Sequence, residues 1–241
     1  MPSMNTAAVV KQIRMRLRSH ADKEKARILR GFFKTGPGQY GAGDVFLGVV
    51  VPVLRKLVNN FPDAGANEAA VLLRSPIHEE RLLALFFLIR AFAKSDAAGQ
   101  KTIYRLYCAN IRSINNWDLV DLSAPHIVGA YLLDKNRTPL YTMAKSSDLW
   151  EKRIAILATF AFIRQNDFTD ALKISVVLLK DKHDLIHKAV GWMLREIGKR
   201  SMHEEEAFLK QHYHGMPRTM LRYAIERFPE TRRQGYLKGI P

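Results

Sequence analysis

Residues 75–90 read SPIHEERLLALFFLIR. After a Ser-Pro turn and a charged tetrad, apolar side chains return at three- and four-residue steps, as Leu82, Leu83, Leu85, Phe86 and Ile89. That spacing is the period of an α-helix with a buried face. The apolar run LLALFFLIRAFA ends after about a dozen residues and contains Arg90, well short of the roughly 18 uninterrupted apolar residues that span a bilayer. It reads as a core helix of a soluble protein. The same period recurs at Ile154, Ile156, Leu157, Phe160 and Ile163, and period-two alternation is almost absent. Helical stretches are separated by short intervals such as NFPDAGAN, RSPIHEE, DKNRTP, KSSD, HGMP and RFPE, whose Gly and Pro content breaks regular structure. The chain is therefore expected to be all-α. Its longest interruption, KTGPGQYGAGD from Lys34 to Asp44, is the segment expected to be most mobile.

Working outward, SPIHEERLLALFFLIR can be laid over SSDLWEKRIAILATFAFIR (146–164) and DKHDLIHKAVGWMLREIGKR (181–200). Arg81, Arg153 and Lys188 then fall at equivalent places, 72 and 35 residues apart. A unit of about 36 residues suits a pair of antiparallel helices, and such pairs stack into solenoids with a concave face. The expectation is one domain over residues 1–241, with cations recurring in register to line that face as a basic groove able to follow a phosphate backbone.

Bulk composition narrows the partners. With 241 residues and 47% hydrophobic content the chain can bury a genuine core, which excludes disorder. Its 38 Lys+Arg against 23 Asp+Glu leave a net charge of +15 spread along the whole chain. A folded basic surface of that kind points to a polyanion, nucleic acid first. The apolar residues near the N-terminus are broken by Lys11, Arg14, Arg16 and Arg18, unlike the apolar core of a secretory signal. A single cysteine, Cys108, fits a reducing compartment and reads as core. A cytoplasmic monomer with no membrane association is expected.

Chemistry concentrates in INNWDLVDLSAPHIVGAYLLD, residues 114–134. Trp117 and Asp121 are four apart and share a helical face. Asp121 stands among Leu119, Val120, Leu122, Ala124 and Ile127, where a carboxylate is costly unless paired or hydrogen-bonded. Pro125 must break the helix, giving a short helix, an interruption and a second helix. A capping role for Asp121 toward that second helix, with Asp118 exposed, is the structural alternative. Trp192 lies among Lys188 and Arg195; Trp150, beside Arg153, reads as core. Aromatic faces next to cations and one acid would suit bases, phosphates and a developing positive charge. His183 and His187, or His203, His212 and His214, lack the carboxylate or cysteine framework of a metal site.

NNWDLVDLSAPHIVGAYL, with FLGVVVPVLRKL, LWEKRIAILATFAFI and MPRTMLRYAIERFP, resembles the AlkD-like DNA alkylation repair family of HEAT-like repeat glycosylases, over about Lys11 to Glu230. The resemblance implies a helical-repeat solenoid holding duplex DNA that contains alkylated purines, and hydrolytic excision of N3- and N7-alkylated bases without cofactor or metal. It matches the catalytic aspartate to Asp121, the lesion-facing tryptophans to Trp117 and Trp192, and the active-site arginine to Arg153. It also implies recognition of a base left stacked, although the sequence accommodates an extruded base equally. Val50 departs from the pattern, standing where many relatives have a basic or polar residue.

An N7- or N3-alkylated purine is cationic and leaves as a neutral molecule. The costly part is positive charge developing on the sugar, which a nearby carboxylate opposes. Beyond Arg153, the expected phosphate contacts are Lys188, Arg195, Arg218 and Arg222; Arg218 and Arg222 could alternatively pair with Glu226. The competing function is a non-catalytic helical scaffold for nucleic acid or an acidic protein.

Overall fold

A computed structural model describes residues 4–240. Among the described residues no β-strand forms, only an isolated bridge between Val45 and Ile77, and the helical-repeat, all-α expectation holds. No described helix is long and apolar enough to cross a membrane. The contacts divide the chain into two compact units, joined between Ser123 and Ala124.

The first unit contains α1 (Met4–Arg18), α2 (Lys23–Phe32), α3 (Val51–Asn59), α4 (Ala66–Leu72), α5 (His78–Lys94), α6 (Ala97–Ala109) and α7 (Trp117–Asp121). Local chemistry sets several starts. Asp22 accepts from the Lys25 amide to cap α2, and Asp96 from the Gly99 amide to cap α6. The stretch SPIHEERLLALFFLIR supplies the heart of this unit: α5 is buried continuously from His78 to Leu88 and packs against α3, α4 and α6. The sequence placed His78, Glu79 and Glu80 in a polar break, yet all of HEER is helical and buried. Each of its side chains has partners. Glu79 accepts from the backbone N–H groups of Leu47, Gly48 and Val49. Glu80 takes Arg14 of α1 at 2.9 Å. Arg81 bonds the Ser75 carbonyl, Asp44 and Asn115. The 34–44 segment, expected to be the most mobile, is pinned at its end by Asp44, and His78 N–H donates to the Val45 carbonyl.

The second unit begins at a π-helical turn, Pro125–Gly129, and continues through α8 (Ala130–Leu132), α9 (Thr138–Ala144), α10 (Leu149–Ala158), α11 (Phe160–Ile163), α12 (Thr169–Leu178), α13 (Asp184–Gly198), α14 (Met202–His212), α15 (Arg218–Ala224) and α16 (Glu230–Lys238). The interruption expected around Pro125 is present: α7 ends at Asp121, and the chain re-forms as the wider π turn that accommodates a proline lacking its N–H. Helix α13 is central and packs against α10, α12, α14 and α15. Small residues permit the closest approaches: a Cβ on Gly191 would come within 2.4 Å of the Met220 carbonyl of α15, and one on Gly129 within 2.1 Å of the Ala158 carbonyl.

Candidate functional site

The five residues of α7 are too few to form a helix by propensity alone. Asn116 caps it through a 2.8 Å bond from the Trp117 amide, and Leu119 and Val120 are fully buried against the core. Trp117 and Asp121, four apart, are both half-buried. One face of the Trp117 ring stacks on Phe33 (centroids 5.2 Å, planes 18° apart), and exposed Phe32 meets it edge-on at 5.7 Å. Asp121 is the last residue of α7, where the helix dipole disfavours a carboxylate. The helical turn that follows has Ala124 at its cap position, without a side-chain cap.

Asp118 is a correction to the capping alternative, which left it exposed. It is 6% exposed and accepts from His78 Nε2 at 2.8 Å, while Nδ1 of the same ring meets Asp44 at 3.2 Å. Both ring nitrogens face carboxylates, so both must carry protons. Desolvation works against the charged ring, but the hydrogen bonds to Asp118 and Asp44 outweigh it and lift the His78 pKa to about 9. Burial likewise opposes the Asp44 charge; His78 and Arg81 override it and hold the carboxyl below its usual range. The ring also stacks on Phe46 at 4.5 Å, Phe46 on Phe33, and Phe33 on Trp117. Asp44, His78, Asp118, Phe33 and Phe46 were all missed from the sequence. The one available signal was four consecutive polar residues, HEER, directly ahead of a strongly apolar helix.

In the second unit, Arg153 of α10 is buried, and its guanidinium bonds the Leu185 carbonyl, tying α10 to the start of α13. Arg81 and Arg153, placed in register by the sequence, are both 4% exposed. These two are thus buried within their units rather than solvated. For Arg81 the Ser75 carbonyl, Asp44 and Asn115 supply partners that burial requires, and for Arg153 the Leu185 carbonyl is one of them. Lys188, on α13, pairs with Asp184 at 2.7 Å and stays partly exposed. Trp192 is half-buried; its indole N–H donates to Glu196 at 3.0 Å, and its ring lies 6.1 Å from Phe160. Glu196 also takes Lys199 at 2.6 Å. Trp150 is buried, as expected of a core residue.

Arg195 pairs with Glu226, which replaces the expectation that Arg218 or Arg222 would take that acid. Geometry decides the matter, because α13 and α15 pack side by side. Arg218 instead bonds the Leu237 carbonyl at 2.7 Å, and Arg222 is exposed. His183 accepts from the Leu185 amide at the start of α13, and His187 bonds the Asp181 carbonyl. Among the described residues no group of three or more His, Cys, Asp or Glu side chains is arranged to hold a metal ion.

The family model for DNA alkylation repair enzyme matches residues 13–228. No curated protein matches the chain. Among solved structures it is similar to "Predicted DNA alkylation repair enzyme from Enterococcus faecalis", with a TM-score of 0.67 at 15% identity, over 88% of this chain and 98% of that one. At that identity the likeness concerns the fold. The family match, which begins in α1 and reaches past α15, makes this chain a member of the DNA alkylation repair enzyme family.

Proposed function

We propose that the protein is a DNA glycosylase that hydrolyses the N-glycosidic bond of cationic N3- and N7-alkylated purines in duplex DNA, acting as a monomer. The observation that carries this reading is a half-buried carboxylate, Asp121, at the unfavourable end of a five-residue helix, one turn from a half-exposed indole, in a chain of net charge +15. Set against the helix dipole, an acid there does not benefit phosphate binding. It does benefit a sugar acquiring oxocarbenium character.

Departure of an alkylated purine needs no proton, since the base leaves neutral. Asp121 opposes the growing charge on the deoxyribose and can orient the attacking water. Trp117 offers an electron-rich face, held by its stack on Phe33, to a cationic base, worth about 0.5–2 kcal/mol over a neutral one. Selection then follows the charge of the lesion. Family resemblance gives Trp192 the same aromatic task and Arg153 an active-site role. We assign the phosphate contacts to Lys188, Arg195, Arg218 and Arg222, since such contacts position the duplex without reading sequence.

The test is release of 7-methylguanine from methylated duplex, followed by chromatography, with Asp121→Asn alongside. Wild type should release base; the variant should release none while keeping or gaining DNA affinity, because it has lost a negative charge. Absence of release by wild type at high enzyme concentration would favour the non-catalytic scaffold.

A further inference from the structure

We infer that His78 is a positioning residue for the reaction: clamped between Asp44 and Asp118, its imidazolium holds the short helix that presents Trp117 and Asp121. This rests on the glycosylase reading of α7. Helix α7 has its first amides bonded by Asn116 and by Asp118 itself, and cannot stand alone at five residues. Its orientation is therefore set by what grips its side chains. His78 reaches it by two routes. One is the 2.8 Å bond to Asp118, a single residue along from Trp117. The other is a continuous stack from the His78 ring through Phe46 and Phe33 to Trp117 itself, with centroid spacings of 4.5, 5.2 and 5.2 Å. His78 makes no claim on substrate, since it is 2% exposed.

The clamp works only while the ring is charged. A neutral imidazole has one donor, so one of the two carboxylates would be left facing a lone pair. Asp44 has Arg81 as a second charged partner at 2.7 Å; Asp118 has, besides His78, the Leu119 amide of its own helix at 2.9 Å, so α7 is the element that would move. The charged groups facing the ring among the described residues are Asp44 on the 34–44 segment, Asp118 on α7 and Arg81 on α5. The grip is fully present below the ordinary histidine pKa near 6.5 and is lost as pH rises through about 9.

The experiment compares wild type with His78→Gln and Asp118→Asn, the latter keeping an acceptor for the ring at nearly the same shape. Three quantities are read: the single-turnover rate of 7-methylguanine release, affinity for undamaged duplex, and amide hydrogen exchange over residues 117–122 at pH 7.5. In His78→Gln, release should slow at least 10-fold and α7 amides exchange at least 10-fold faster. Buried amides of α5 should stay protected, and undamaged-duplex affinity should remain within twofold. Asp118→Asn should fall between the two, and it carries the test if His78→Gln does not fold. Wild-type release should decline above pH 9, and His78→Gln should lack that decline. Exchange of α7 at the wild-type rate in a folded variant would overturn the inference, as would loss of α5 protection in step with activity. If wild type releases no base, the glycosylase reading falls by itself, and the exchange of α7 still decides whether His78 holds it.

Discussion

Replacing Glu205 with glutamine should stabilise this protein, by an amount that depends on pH. Glu205 lies on α14 with its side chain turned inward: it is 2% exposed, and its Oε1 is buried without a hydrogen-bond partner. The carboxyl lies so close to α13 that a Cβ on Gly198 would overlap it. Burial is the main influence, reinforced by the adjacent Glu206 charge and only partly relieved by Arg195, and it raises the pKa from 4.5 to about 9. A raised carboxyl pKa costs stability once the unfolded chain can ionise. The cost is absent below pH 4.5, grows as pH climbs from there, and levels off near pH 9. At pH 7.5 the three intervening units correspond to about 4 kcal/mol, and halving for relaxation of the site leaves about 2 kcal/mol. Glutamine has the same shape and no charge to desolvate, so it removes this cost. With Tm moving roughly 2–4 °C per kcal/mol in a chain of this size, Glu205→Gln should melt about 4–8 °C higher at pH 7.5. At pH 5 the gain should shrink to about 1–2 °C. Calorimetric or fluorescence melting at the two pH values measures both. A variant that melts no higher than wild type, or whose gain is equal at pH 5 and 7.5, would show that Glu205 is not buried as a strained acid.

Glu226→Gln should free Arg195 from its pairing with a half-exposed acid, tightening binding to damaged and undamaged duplex and steepening the salt dependence by roughly one phosphate contact. Unchanged affinity and slope would remove Arg195 from the phosphate contacts. Gly129→Ala sets a Cβ about 2.1 Å from the Ala158 carbonyl, a backbone atom that cannot rotate away. A loss of at least 1–3 kcal/mol is expected. Gly31→Ala in α2, with nothing within 4 Å, should be neutral or stabilising by about 0.5–1 kcal/mol in the same denaturant titration. Equal effects at the two glycines would contradict the close approach at Gly129. Trp192→Leu should slow excision of cationic lesions by about 2- to 30-fold, the equivalent of 0.5–2 kcal/mol, while sparing neutral ones; an equal loss on both would make the residue a packing element.

Much of the architecture was readable along the chain because it rests on local physics. Apolar spacing of three and four dictates helices, proline at position 125 dictates an interruption, and an i,i+4 relation puts Trp117 and Asp121 on one face whatever surrounds them. The family was legible for the same reason, carried by a short motif with a fixed spacing. The polar interior of the first unit was not. Asp118 finds its cation 40 residues away in sequence, and Asp44 finds the same ring from 34 residues on the other side. A charged residue at a helix start looks solvated in any sequence; only the packing of α5 against its neighbours shows that all of HEER is inside. The alignment of Arg81 with Arg153 was visible, but their burial was not, since it depends on partners such as Asp44 for Arg81 and the Leu185 carbonyl for Arg153 that lie over 30 residues away. Sequence alone determined helix content, the break at Pro125 and the candidate pair on α7, since these depend on neighbours in the chain. Tertiary structure alone decided which charges are buried and what holds them, because desolvation and pairing depend on groups brought together from distant segments.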